Sequence, residues 1–545
     1  MEKMNRISIP EKLYGREKEI ATLFQSFERI CKGVGEILTV PGTSGVGKTA
    51  LVQKLETPVK NENGFFVSGK FEQFQQNIPY FAFRQALATL CHFIIAEDEP
   101  IREQFKKEIL DAIGAQGQVL TDLVPEFELL LGEQPPLGEI SPQEARHRFA
   151  DVMRNFLGAI SKPEHPLVLF IDDWQWADTA SFELLKQLEV GQTLRYILII
   201  LSYRDNEVNS GHPFTAVLEE LKRNNKIFNQ LKVNNLTQTD VRHILEDTLK
   251  PAAKNIEILA DIIHNKTLGN PFFVHAAIHY LSDFELLWFN QSEKKWKWKI
   301  DPTKESDFPV TIIELFARKF RGMDPNAQKM FSLAACLGNR FDVKNLEIIT
   351  EFNSEKCKSI LNTPQGKEVA IPLERIQHRA IGKQESAADV YIFRHDRLQQ
   401  AAFLLIEEEH QSKILFRIGK LLLTELSPDQ LEERLFEVVN NLNAGINFIE
   451  NDDEREKLFR LNIQAARKAY AAIAYSAALQ FYRKAEKILE KEDFSEQMWN
   501  QHHKLLMNYL NERAVCEFLE GDQSIAEKAV YQSVEHANNT IEKAE

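Results

Sequence analysis

Cysteine is scarce in this 545-residue sequence. The five cysteines, Cys31, Cys91, Cys336, Cys357 and Cys516, lie far apart with no C-x-x-C spacing, so neither a disulfide framework nor a zinc site is indicated. Long apolar runs are missing too. The longest, Leu167 to Ile171 and Tyr196 to Leu201, are strand-length and far short of the roughly 20 residues that span a bilayer. No Gly- or Pro-rich linker divides the chain, and Met1-Glu-Lys-Met-Asn-Arg6 has no apolar core behind it, so no secretory signal is expected. Positive charge is in deficit. With 66 Lys and Arg against 80 Asp and Glu, the formal net charge is −14 at pH 7, which argues against a dominant electrostatic grip on nucleic acid or anionic lipid while leaving room for a local basic patch. A reducing cytoplasm is the expected compartment, with no membrane.

What remains is an ordinary globular composition, 43% hydrophobic and 27% charged. The length suggests about three or four domains. The most informative stretch is Glu36-Ile-Leu-Thr-Val-Pro-Gly-Thr-Ser-Gly-Val-Gly-Lys-Thr-Ala50. Its apolar start, Ile37 to Val40, reads as a buried strand. The loop Gly42, Thr43, Ser44, Gly45, Val46, Gly47, Lys48, Thr49 fits G-x-x-x-x-G-K-[ST], and Ala50-Leu51-Val52 opens a helix. Such a loop suits phosphate because its glycines let successive N–H groups turn inward, ahead of a helix N-terminus with partial positive charge. Lys48 is placed to reach the β- and γ-phosphates and the Thr49 hydroxyl to ligate Mg²⁺. The competing reading is a Gly-rich turn that ends in Lys-Thr by chance.

Upstream, Leu13-Tyr-Gly-Arg-Glu-Lys-Glu19 precedes an amphipathic helix carrying Ile20, Leu23, Phe24 and Phe27. Gly15 permits a tight turn, and Arg16 starts the helix where a segment can close over an adenine. Gly64 to Ser68 reads as a second strand, followed by Lys70-Phe-Glu-Gln-Phe74 and a helix from about Tyr80 to Ile95. Residues 100 to 160 look helical, with a break at Gln134-Pro-Pro-Leu-Gly138. Then Pro166-Leu-Val-Leu-Phe-Ile-Asp-Asp-Trp-Gln-Trp-Ala-Asp178 supplies an apolar strand ending in two carboxylates. Asp172 is expected to hold Mg²⁺ and Asp173 to polarise an attacking water, the plainer alternative being a strand that runs into an acidic turn. Asp178 either caps the next helix or touches nucleotide. Tyr196 to Asp205 is another buried strand, ending in Ser202 and Arg204. In a parallel sheet the ligand-facing strand ends share one edge, so Arg204 is placed to sense a γ-phosphate, unless it is a surface residue paired with Asp205. Phe228 to Val233 reads as a fifth strand, and Leu236-Thr-Gln-Thr-Asp240 as a capped helix start.

Taken with Lys266-Thr-Leu-Gly-Asn-Pro-Phe-Phe273, these motifs resemble the STAND class of P-loop ATPases, the bacterial predicted ATPases related to AAA and origin-recognition-complex ATPases, over roughly residues 10 to 410. The resemblance implies an α/β P-loop core at 10–235, a helical lid at 236–305 and a winged-helix domain at 306–410. It matches Gly15-Arg16 to the adenine-side turn and Arg204 to the sensor arginine. Pro271 corresponds to the lid proline that packs on adenine. Phe393-Arg-His-Asp396 resembles a Phe-x-His-Asp motif whose histidine, here His395, reaches the β-phosphate of ADP; a structural His395, with Asp396 as a helix cap, is the alternative. Asp173 stands where many AAA relatives have Glu, which suits slow turnover. A Trp-containing hairpin is expected at 287–300, helix at Phe308 to Leu315, and helix again at Gln328 to Gly338.

From 411 to 545 the text is helical. Arg467 to Ala485 and Leu519 to Ala529 show the small-residue and aromatic spacing of tetratricopeptide helix pairs, which stack into a solenoid with a concave face; an ordinary helical bundle is the alternative. The helix-like end, Asn538 to Glu545, suggests a fragment of a longer protein or a truncated member. Together these features point to an ATP-binding, slowly hydrolysing switch that uses ATP or ADP with Mg²⁺. It would take a protein partner through the repeats, with nucleotide-dependent self-association also open. The second hypothesis is a nucleic-acid-binding AAA-type ATPase or transcription regulator. Charge and the lack of a recognition helix dense in Lys and Arg stand against it.

Overall fold

The computed structural model describes residues 7–73, 78–138, 140–188, 190–191, 193–224, 228–250, 254–300, 316, 320–372 and 390–538. The expected helix at 308–315, the tail 539–545 and the side chain of Asp396 lie outside these.

At the centre is a five-stranded sheet built from β1 (Gly35–Pro41), β2 (Phe65–Lys70), β3 (Leu167–Asp172), β4 (Ile197–Tyr203) and β5 (Phe228–Gln230), in the order β2-β3-β4-β1-β5. Every pairing is parallel. A sheet of this kind is covered on both faces, which is why β3 and β4 read as unbroken apolar runs. On one face Leu38, Val40, Val168, Phe170, Leu198 and Ile200 meet Leu23, Phe27 and Ile30 of α1 (Glu17–Cys31). On the other, Ile37, Leu169, Ile171, Ile199 and Leu201 join a larger cluster that continues into the helical regions.

One charged side chain interrupts β1. Glu36 is fully buried, and its carboxylate accepts hydrogen bonds from Ser26, Arg29 and Asn229, each near 2.8 Å. A buried carboxylate is tolerable only with its lone pairs occupied in this way. The fifth strand is shorter than its sequence suggests: it ends at Gln230, although Leu231 N–H still donates to Thr39 O and Val233 N–H to Pro41 O. It is an edge strand, so only one neighbour holds it.

The register decides the chemistry. Pro41 lies opposite Tyr203, and Lys70 opposite Asp172, so the ends of β1, β2, β3 and β4 come to one edge. The helix α2 (Lys48–Val52) starts there, directly after the glycine-rich loop. After β5 come α3 (Gln238–Thr248), α4 (Ile256–Thr267) and α5 (Pro271–Asp283), then the expected hairpin, β6 (Leu287–Asn290) with β7 (Lys295–Trp298). Thr237 and Asp240 form a capping box at α3.

A second small unit follows. Helix α6 (Pro325–Leu337) precedes an antiparallel sheet of β8 (Arg340–Asp342), β9 (Ala370–Pro372) and β10 (Val390–Phe393), in the order β8-β10-β9. Directly after β10 comes α7 (Asp396–Phe403). Among the described residues the rest is helical, including α8 (Asp452–Ala471), α9 (Tyr475–Leu489), α10 (Glu492–Leu519) and α11 (Gln523–His536). The two sequence repeats fall on the turns between α8 and α9 and between α10 and α11. Ala465, Ala466, Ala469, Ala478 and Ala485 are essentially inaccessible, as close helix crossings require. Among the described residues, no helix is long and apolar enough to cross a membrane.

Candidate functional site

The glycine-rich loop turns between β1 and α2 in the conformation its sequence calls for. Gly47 has φ 96° at the N-cap of α2, a backbone state that a side chain disfavours. Lys48 is buried, and its ammonium donates to Gly42 O at 2.8 Å and Thr43 O at 3.2 Å. Burial lowers its pKa, while Asp172 and Asp173 oppose that by favouring the cation. An ammonium held by two loop carbonyls can exchange them for phosphate oxygens without leaving the loop.

Asp172 closes β3 and accepts from Thr49 Oγ1 at 2.6 Å and from Ser202 Oγ at 2.5 Å. Thr49 and Asp172 therefore present two hard oxygens side by side, a donor set suited to Mg²⁺, which binds one or two protein oxygens and completes its shell with phosphates and water. No cluster of three or more His, Cys, Asp or Glu that could cage a metal occurs among the described residues.

Asp173 sits in the left-handed region, φ 59° and ψ 48°, which costs a non-glycine residue of order 1–3 kcal/mol. Its carboxylate is heavily occupied. Gln175 Nε2 donates at 2.7 Å and Arg204 Nε at 3.3 Å to Oδ1, and Lys70 Nζ lies 3.2 Å from Oδ2. Arg204 is 1% exposed. Its guanidinium lies over the Trp176 ring at 4.3 Å and donates to Glu207 at 3.0 Å. Arg204 is thus buried rather than a surface residue, and Asp205 pairs with Lys232. Asp178 acts as a cap: it accepts from Ser181 N–H, Ser181 Oγ and Tyr80 N–H. Burial pushes its pKa up to about 6 despite those hydrogen bonds.

The lid meets the loop directly. Asn270 Nδ2 donates to Ser44 O at 2.9 Å and Phe272 N–H to Gly45 O at 3.2 Å. A Cβ on Gly45 would come within 2.9 Å of Phe272 and 3.0 Å of Asn270, so this approach requires glycine. Pro271 is the first residue of α5. Arg16 is buried after Gly15 and donates to Val46 O at 3.2 Å and Asn234 O at 2.7 Å, clamping the loop to the segment that follows β5. Val46 is buried among the apolar residues behind the loop, and Ala50 is exposed on α2.

His395 is brought to the same place from the second sheet. Its ring stacks on Phe272 with centroids 3.6 Å apart and planes 18° apart. Its Nδ1 accepts from Arg397 N–H at 3.1 Å, capping α7. The residue thus takes the structural role and also stands one side chain away from Gly45. Sequence reasoning missed Lys70, Gln175 and Asn270 as members of the site. Lys70 ends β2 beside the acids, Gln175 lies in the short helical turn Trp174–Trp176 that follows them, and Asn270 lies inside the lid motif.

A parallel sheet with a phosphate-type loop, a Thr–Asp pair and a second acid at one edge defines a P-loop nucleotide-binding α/β domain. Residues 12–200 match the family model described as AAA ATPase domain. That family implies nucleotide binding, typically with Mg²⁺. The chain is 25% identical over 644 aligned positions to hybrid signal transduction histidine kinase G of Dictyostelium discoideum, covering 98% of this chain and 18% of the relative. It is 19% identical to a peroxide stress-activated histidine kinase of Schizosaccharomyces pombe, covering 84% and 20% respectively. It is thus related to signal-transduction histidine kinases and spans about a fifth of the length of these relatives. Among solved structures, a STAND protein with a tetratricopeptide repeat sensor from Pyrococcus horikoshii aligns with TM-score 0.44 and 12% identity, covering 97% of this chain and 71% of that one. Cdc6p from Pyrobaculum aerophilum aligns with TM-score 0.31 and 15% identity, covering 77% and 97%.

Proposed function

We propose that this chain is an ATP-binding, slowly hydrolysing switch of the STAND type, acting within a larger signal-transduction protein. The observation that carries the reading is the stack of His395 on Phe272, whose own N–H is bonded to Gly45 of the phosphate loop. It joins the 325–403 unit, which we read as the winged-helix domain, to the place where phosphates would lie. A contact that differs between two nucleotide states is what a ligand needs in order to shift a conformational equilibrium.

In this reading the loop N–H groups and Lys48 bind the phosphates, and Thr49 with Asp172 holds Mg²⁺, which when bound neutralises phosphate charge. Asp173 orients and polarises the attacking water, so that ATP and water give ADP and phosphate. Arg204 holds Asp173 in place through its Nε, 3.3 Å from Oδ1. Gly15, Arg16 and Pro271 bound the base. His395 senses the diphosphate, and the helices from 411 onward receive a protein partner, with self-association gated by the same equilibrium. The shorter Asp at 173 and its tight pairing suit slow turnover.

The test is ligand discrimination. His395→Ala should weaken ADP binding about fivefold more than ATP binding by titration calorimetry with Mg²⁺, the loss of one ordinary hydrogen bond of about 1 kcal/mol. Equal weakening of both ligands would overturn the switch reading.

A further inference from the structure

Where the segment 12–200 meets the helical repeats there is a cavity that the switch mechanism leaves unused. Its volume is about 560 Å³, within the range of pockets that take small organic ligands. One side is the helix Gln118–Leu123 with the first turns of the helix Pro142–Ile160, and the other is the turn between α8 and α9. Leu123, Leu137 and Phe149 from the first side and Tyr470, Ile473 and Tyr475 from the second make the wall mainly apolar. The two sides are fastened to each other beside it. The Tyr475 hydroxyl donates to Pro142 O at 3.2 Å, and Arg146 lies over the Tyr475 ring at 4.8 Å while pairing with Glu520 at 3.1 Å.

The two repeat turns make the same hydrogen bonds with different residues. After α8, Ile473 N–H donates to Tyr470 O at 2.8 Å and Ala474 N–H to Ala469 O at 3.0 Å. After α10, Gly521 N–H donates to Phe518 O at 3.1 Å and Asp522 N–H to Glu517 O at 3.0 Å. Both turns put one residue in left-handed backbone, φ 62° at Ile473 and φ 90° at Gly521. Glycine is the usual residue there, and a β-branched one is an outlier. A Cβ at Gly521 would meet nothing within 4 Å, so glycine serves the backbone alone at that turn. The first turn carries a strain that the second avoids, and in return it sets the Ile473 side chain on the cavity wall. Strain of this kind collects at ligand clamps.

Charge on the wall is uneven. The half-buried Arg148 makes one hydrogen bond, from Nη1 to Gly138 O at 3.2 Å, and no ion pair among the described residues; its Nε is shut off from solvent without a partner there. Most donors of this guanidinium are therefore left over, and a carboxylate is the group that matches its planar fork. The acid on the same wall, Asp122, is exposed and accepts from Gln118 Nε2 at 2.5 Å. Its negative charge disfavours a ligand with a second carboxylate.

We propose that this cavity binds a small amphipathic monocarboxylate, its apolar body against Phe149, Tyr470 and Ile473 and its carboxylate on Arg148. Such a ligand touches the segment 12–200 and the repeats at once, so its binding strengthens their contact.

The experiment titrates the full chain by calorimetry with two acids, 1-naphthaleneacetate for a flat body and decanoate for an extended one, each beside its neutral alcohol. At least one acid should bind in the range of tens of micromolar, as ligands of this size can, and about tenfold more tightly than its alcohol; the tighter acid shows which body the wall fits. Arg148→Met should bring the acid down to the affinity of the alcohol and leave the alcohol within about twofold. Ala145→Phe, which fills the cavity from the helix Pro142–Ile160, should abolish binding, with Ala472→Phe in its place should that variant not fold. Ile473→Gly should weaken the acid about fivefold without lowering the melting temperature, whereas an isoleucine kept only for packing would lose stability on that change. No binding of either acid by the unaltered chain, equal affinity for acid and alcohol, or binding that survives a filled cavity would overturn the proposal. The titrations need no nucleotide, so their outcome is separate from that of the ATPase reading.

Discussion

The phosphate edge of the sheet and the C-terminal helix pairs solve opposite problems with opposite materials. At the edge, polar groups from β2, β3, β4 and the loop converge within hydrogen-bond distance, and Asp172, Asp173, Ser202 and Arg204 among them are buried. Each one needs a particular residue type. In the repeats, alanines at crossings let helices approach, and charge appears in pairs such as Arg483 with the fully buried Glu517 at 2.6 Å. There the requirement is for size and pattern. The edge is therefore intolerant of changed chemistry, and the repeats are intolerant of changed volume.

Asp178 lies on the seam between the two, since it caps the helix Thr179–Gln187, which packs against α9. Its pKa rises from 3.8 to about 6 because burial penalises the charged form. The folded chain then holds an extra proton between those values, so stability falls as pH rises from 3.8 to 6 and stays reduced above. Asn keeps an acceptor for the cap and removes the titration. The advantage of Asp178→Asn over the unaltered chain should grow by about 2.4 kcal/mol between pH 4 and pH 7, measured by denaturant unfolding at each pH. A flat difference would show that the seam carries no buried charge.

Lys48→Ala asks the chemical half of the comparison alone. Losing a charge-assisted hydrogen bond to phosphate should cost about 2 kcal/mol, roughly 30-fold in ATP affinity. The melting temperature of the ligand-free chain should barely move, because Lys48 bonds only loop carbonyls. A large drop in stability with unchanged affinity would reverse the assignment of roles.

How far the sequence discloses each region follows from the same contrast. The loop from Gly42 to Thr49 and the acids Asp172 and Asp173 are legible because their chemistry is fixed by neighbours in the chain. Lys70 is not, because its meaning depends on β2 lying beside β3 in a register that puts it opposite Asp172. Strand order is a long-range fact that no local pattern carries. Asn270 lies within a legible motif, but its bond to Ser44 spans 226 residues. The bond from Gln400 to Gln73 spans 327. His395 shows a further limit, for a helix cap and a ring stacked beside a phosphate loop look alike in the text. The helical register of the repeats was plain, whereas nothing in spacing marks which of their surfaces meets a partner.

Ala478 tests the other half of the comparison with the smallest expected effect. It is fully buried on α9, which packs along both α8 and α10. A leucine there adds three carbons where helices already touch, and overpacking of this kind costs about 1.5 kcal/mol through off-rotamer side chains and small backbone shifts. Ala478→Leu should therefore lower unfolding stability by that amount while ATP affinity, measured by calorimetry, stays within twofold, because none of the residues that surround Lys48 lies on α9. A matching loss of affinity would mean that repeat packing is transmitted to the phosphate edge through the shared apolar cluster, and the division between chemistry and volume would have to be redrawn along that path.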